Sequence, residues 1–77
     1  MTRNGFRELI ADLLGTTAAQ LPDATEKESV ESWSSLVDVQ IATAIQAELG
    51  VEPTAEMLEA HTVGQLLDLL ETADVFH

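Results

Sequence analysis

Apolar residues recur at helical intervals in three stretches of the chain. In the first, Phe6, Leu9, Ile10, Leu13 and Leu14 fall on one stripe, and Gly15 stands just past its end. Steps of three and four residues place side chains on one side of a helix, and a glycine after the last of them is a common stop. The second stretch runs from Ser35 to Leu49 and is followed by Gly50. Leu36, Val39, Ala42, Ile45 and Leu49 follow helical steps there, with Ile41 beside them, and read as the buried stripe. Val37 and Ala44 fall off it. The third stretch is Val63, Leu66, Leu67 and Leu70, with Thr62 placed to cap its N-terminus. Between the second and third lies "PTAEMLEA", with Pro53 at a boundary, Thr54 as a cap and Met57 and Leu58 as an apolar pair. It predicts one or two helical turns. No segment sustains alternation of period two, so no sheet is expected.

The fold class that follows is all-α: a bundle of four helices, the third one short. Residues 16 to 34 form a long connection between the first two main helices. A link of that length belongs in a small domain only if it is functional or anchored. Leu21, Val30 and Trp33 are the candidate anchors. Pro22 and the acidic run "DATEKESVE" oppose a long helix here, and leave room for a single turn near residues 26 to 31.

Composition narrows the picture. A chain of 77 residues is expected to form one domain, residues 1–77. At that size folding buries only about 60% of the surface exposed by the unfolded chain, so the core is modest. With no cysteine, disulfides and thiolate metal sites are excluded and the expectation is an intracellular, cytoplasmic protein. No apolar run approaches a membrane span. The N-terminal "MTRNGFRELIADLLG" is broken by Glu8 and Asp12, which suits a folded helix better than a signal peptide. The start at Met1 suggests a free-standing protein, with an excised domain as the alternative, and a monomer is expected. Fourteen acidic residues face three basic ones, for a net charge of −11. That balance argues against nucleic acid and anionic membrane as partners, and favours basic protein surfaces. A hydrophobic content of 45% argues against disorder.

The candidate chemistry sits at "WSSL", residues 33 to 36. Ser35 can cap the second main helix, with Asp38 three residues on in an approximate capping box. Alternatively Ser34 caps and Ser35 is the first helical residue. Capping contributes about 1 kcal/mol, enough to account for a serine. The same geometry also suits a phosphate-linked group, because a helix N-terminus presents free N–H groups and a partial positive charge.

The segment "WSSLVDVQIATAIQAELGV" resembles the second helix of acyl carrier and peptidyl carrier proteins, whose usual form is Asp-Ser-Leu followed by an amphipathic helix. Trp33 stands where carriers of secondary metabolism often have tryptophan, and Leu36 matches the leucine. The later "HTVGQLLDLL" is similar to the family's last helix. The resemblance extends to length, acidity and the long first loop. It implies that Ser35 receives a 4′-phosphopantetheine arm from coenzyme A, installed by a phosphopantetheinyl transferase. It implies a non-catalytic carrier of acyl or aminoacyl groups, held as thioesters for polyketide or nonribosomal peptide assembly. Loading enzymes, ketosynthases, acyltransferases or condensation-type enzymes are the implied partners. Leu36, Val37, Asp38, Gln40 and Ala44 are the candidate contact residues, Val37 and Ala44 forming a patch off the buried stripe. Two departures stand out. Ser34 replaces the family's Asp, which assists the transferase, and Gln40 and Gln46 occupy positions often filled by glutamate.

The competing reading is an unmodified interaction module that docks a basic partner through its acidic surface. Trp33 is expected to pack under the loop, its indole N–H reaching a carbonyl. Ala42, Ala44 and Ala47 are expected to allow close helix packing. A Ser-His-Asp triad would need His61 or His77 beside Ser34 or Ser35, and no oxyanion loop is evident. His61 is expected to face solvent and His77 to fray. No metal-ligand spacing exists, and Gly5, Gly15, Gly50 and Gly64 are too scattered for a phosphate loop.

Overall fold

A computed structural model describes residues 1–76; the expectation for His77 lies outside them. The order of elements is α1 (Arg3–Leu14), α2 (Ser35–Leu49), α3 (Ala55–Leu58) and α4 (Val63–Thr72). No strand forms among the described residues; the one ladder-like pairing is an isolated antiparallel bridge between Glu26 and Thr62. The all-α bundle read from the sequence is the fold.

Threonine hydroxyls start three of the helices. Thr2 accepts from the Gly5 N–H at 2.9 Å, Thr54 from Met57 at 3.2 Å and Thr62 from Gln65 at 3.0 Å. Glycines stop α1 and α2: Gly15 and Gly50 adopt left-handed φ values of 71° and 70°, a conformation that costs a residue with a Cβ. Phe6, Ile10, Leu21, Ile45, Val63, Leu67 and Leu70 are completely buried and make the centre of the core. The stripes of α1 and α4 read from sequence both face it.

The inward face of α2 differs from the expectation. Val37, Ile41 and Ile45 are buried, whereas Leu36 is 65% exposed and Val39 61% exposed. Helix α2 carries apolar side chains all the way round, so their spacing alone cannot choose the face that packs. Val37, placed off the stripe by that reading, is a core residue at 6% exposure, and Ala44 is half-buried against the core.

The connection between α1 and α2 is tied down rather than slack. It contains two 3-10 turns, Ala18–Gln20 and Lys27–Ser29, the second inside the range where one turn was expected. Leu21 is buried, and Val30 and Trp33 pack on the core as half-buried anchors. The backbone is stitched to the start of α4. Gly64 N–H donates to the Asp23 carbonyl at 2.9 Å, Val63 to Thr25 at 3.0 Å, and Lys27 to His61 at 2.8 Å. Arg7 donates to the Leu21 carbonyl and to the Asp23 carboxylate. Arg3 pairs with Asp23 at 3.1 Å, Asp68 at 2.8 Å and Glu71 at 2.6 Å, so one guanidinium joins α1, the loop and α4. Partial burial pulls the Arg3 pKa down, but its hydrogen bonds to Asp68 and Asp23 prevail and leave it raised. The C-terminal segment adds cover that the sequence pattern did not announce. Asp74 turns with φ 59°, Val75 is buried, and Phe76 packs 6.2 Å from Phe6 between ring centroids.

Candidate functional site

Ser34 is the N-cap of α2, with extended backbone angles (φ −107°, ψ 177°), and its hydroxyl makes no capping hydrogen bond. Its carbonyl opens the helix by accepting from the Asp38 N–H at 3.1 Å. Ser35 is therefore the first helical residue, the second of the two arrangements open from sequence, and its side chain is exposed. The capping box between Ser35 and Asp38 does not form.

Asp38 is occupied elsewhere. Its carboxylate accepts from the Trp33 indole N–H at 2.9 Å and pairs with Lys27 at 2.7 Å. The partner of the indole is thus this side chain rather than the carbonyl expected. Lys27 also donates to the Leu58 carbonyl of α3 at 3.1 Å and lies 5.8 Å from the centroid of the Trp33 ring. Charge-assisted hydrogen bonds and a cation–π contact together fix the last residues of the loop against α2 and α3. They hold the segment that presents Ser34 and Ser35. Sequence reasoning did not single out Lys27; a lone lysine in an acidic run, six residues before the tryptophan, was its only signal.

Beneath this brace Ile41, Met57, Ala60 and Leu66 enclose a cavity of only about 10 Å³. That is at the lower limit for one water and leaves no room for a cargo chain. Ala42 and Ala44 are half-buried, as close packing requires, while Ala47 is exposed. His61 is exposed, and no cluster of metal-ligating side chains exists among the described residues.

Of the candidate contact residues, Leu36 and Gln40 are on the exposed side of α2 with Ser35, and Asp38 is half-buried in the brace. Val37 and Ala44 point the other way, because the helix turns them toward the core. The structure therefore does not bring them together as a surface patch. Val39, read as buried, joins the exposed group instead.

The sequence model of a family described as phosphopantetheine attachment site matches residues 4–70. That span covers most of the chain, from α1 to the last turns of α4, and the chain belongs to this family. Neither the comparison with curated proteins nor that with solved structures gives a match. The family carries a covalently attached 4′-phosphopantetheine group, and its domains act with phosphopantetheinyl transferases and biosynthetic enzymes as generally non-catalytic carriers. The residues around Ser35 fit such a group. An exposed hydroxyl stands on the first turn of a 15-residue helix, where backbone N–H groups and the helix dipole favour a phosphodiester. No helix of the described residues is long and apolar enough to cross a membrane.

Proposed function

We propose that Ser35 is the attachment point of the 4′-phosphopantetheine arm, and that the chain carries acyl or aminoacyl groups in polyketide or nonribosomal peptide assembly. The observation that carries this reading is the exposure of Ser35 at the open end of α2, inside a chain whose family is defined by such an attachment. When attached, the arm supplies a terminal thiol and with it thioester chemistry, which a protein without cysteine otherwise lacks. In the attachment step the Ser35 oxygen bonds to a coenzyme A phosphorus, the phosphoanhydride bond breaks, and the nucleotide half leaves. The hydroxyl proton passes to a base of the transferase. Asp38, the acidic residue of the first turn, is engaged by Trp33 and Lys27 and does not serve as that base.

The chain's own contribution is to present the oxygen. The Lys27–Trp33–Asp38 brace orders the approach to α2, and the open helix end receives the negative charge of the diester. Ser34 supplies a neutral hydroxyl where carriers commonly have Asp, so the reading assigns modification to a transferase of the chain's own pathway. Residues 1–77 act as one carrier domain, a cytoplasmic monomer. Loading and chain-extending enzymes (ketosynthase, acyltransferase or condensation-type) then draw on the arm.

The neutral Ser34 also favours a second reading, an unmodified module that docks a basic partner. Intact mass after incubation with coenzyme A and the pathway's transferase separates the two. The expected result is a gain of one phosphopantetheinyl group in the wild type and none in Ser35→Ala. An unchanged wild-type mass would remove the carrier reading, and a gain that persists in Ser35→Ala would move the site to another residue.

A further inference from the structure

The chain is short of side chains that attack a thioester. It has no cysteine, no tyrosine and one lysine, Lys27. Its other basic residues, Arg3 and Arg7, carry guanidinium groups that stay protonated. Lysine is ordinarily among the commonest residues. The one side-chain amine is also held. Its Nζ pairs with the Asp38 carboxylate at 2.7 Å, donates to the Leu58 carbonyl at 3.1 Å and lies 5.8 Å from the centroid of the Trp33 ring. An ammonium has three N–H donors and no acceptor, so a carboxylate, a carbonyl and an indole face match what it offers. The side chain is only 23% exposed. Asp38 is itself fixed, because it accepts from the Trp33 indole N–H at 2.9 Å.

A thioester tethered nearby gives these contacts a purpose. Asp38 is three residues beyond Ser35, one turn along α2. A flexible arm on Ser35 holds its acyl group in this neighbourhood at an effective concentration on the order of millimolar. A free amine there would take the cargo. Nζ bonds to the acyl carbon, the carbon–sulfur bond breaks, and the leaving sulfur takes up the proton that the nitrogen loses. The product is an amide, which no longer passes the acyl group on. We propose that the Lys27–Trp33–Asp38 brace shields the chain's only side-chain amine from acylation by the thioester it carries, with Asp38 as the guarding group. The proposal rests on Ser35 bearing the arm, and it gives the brace a role beyond ordering the loop. Before the lone pair can attack, the ion pair must break and the nitrogen must leave both the carbonyl and the indole. An exposed lysine has only its proton to lose.

The test follows acetyl transfer from excess acetyl-coenzyme A to the protein without its arm and without a transferase, read at each lysine by peptide mapping. Gln46→Lys adds an amine at an exposed position of α2, as a reference within the same molecule. The added amine is expected to be acetylated at least about tenfold faster than Lys27. Asp38→Asn/Gln46→Lys keeps the shape of the brace but removes its charge, and is expected to bring Lys27 within about threefold of the reference. Circular dichroism melts check folding; a merely structural role for Asp38 would lower Tm without changing the ratio of the two amines. Equal rates in Gln46→Lys overturn the proposal, and so does an unchanged ratio in Asp38→Asn/Gln46→Lys. The loaded protein closes the test. A transferase installs the acetylated arm on the wild type and on Asp38→Asn, and hydroxylamine then strips thioesters and leaves amides. Asp38→Asn is expected to keep an acetyl group at Lys27 and the wild type to keep none; equal retention in the two overturns the proposal. Failure of the underlying reading looks different: the wild type takes up no arm at all, and the proposal then falls with its premise whatever the rates in solution.

Discussion

Asp23 is where the ties of the first loop converge. Its carboxylate takes hydrogen bonds from Arg7 and Arg3, and its carbonyl accepts from Gly64. The hydrogen bond from Arg7 is the largest influence holding its pKa below the ordinary value of 3.8; slight desolvation opposes it, and the Arg7 and Arg3 charges add to the lowering. A carboxylate with a depressed pKa in the folded state stabilises that state above its unfolded pKa. The contribution fades as pH falls through the lower folded value. The group is largely solvated, so each pair is screened and together they are worth about 1 kcal/mol at most. Asp23→Asn is therefore expected to lower Tm at pH 7, by no more than about 4–8 °C. The gap to wild type should narrow below about pH 4. Thermal melts from pH 7 to pH 2 check this; a gap that stays constant to pH 2 would assign the loss to geometry rather than to charge.

At the scale of elements, Gly64 shows how tightly the loop and α4 meet. A Cβ at this position would lie 2.6 Å from the Asp23 Cβ and 2.9 Å from the Asp23 carbonyl oxygen. Alanine has the better helix propensity, by about 1 kcal/mol, but the clash is with backbone that is itself hydrogen-bonded to residue 64. Overpacking of this kind costs about 1–3 kcal/mol. Gly64→Ala is expected to lower Tm and to speed hydrogen exchange at the amides of Val63, Gly64 and Lys27; a raised Tm would mean that the loop yields easily. This contact was not legible in the sequence, where Gly64 looked like one of several scattered glycines. The stripes of α1 and α4 were legible because their apolar residues occupy one side each. Helix α2 was not, since apolar residues surround it and only the packed neighbours choose Val37, Ile41 and Ile45 over Leu36 and Val39. The position of Ser35 at the start of α2 was legible from the apolar spacing that follows it. The brace around it depends on Lys27 meeting Asp38 across the fold, which no local pattern encodes.

For the whole molecule the governing quantity is charge. Three basic residues cannot partner fourteen acids, and the folded chain confines them within a radius of gyration of 11.0 Å. Two like charges about 15 Å apart in water repel by about 0.3 kcal/mol before screening. Many such pairs act at once, and unfolding relieves part of them. Salt also weakens the ion pairs of Arg3, Arg7 and Lys27, but exposed pairs of this kind contribute only about 0–1 kcal/mol each. The repulsion is more numerous and longer-ranged, so it is the larger effect to be screened. Raising NaCl from about 20 mM to 500 mM, which shortens the screening length from about 20 Å to 4 Å, is expected to raise Tm by about 5–10 °C, equivalent to 1–2 kcal/mol. Glu26→Gln/Glu28→Gln/Glu31→Gln should recover part of that gain at low salt, because it removes three charges from one exposed loop. A Tm that falls with salt would show that the ion pairs of Arg3, Arg7 and Lys27 outweigh the general repulsion. The acidic surface would then be stabilising through its few pairs.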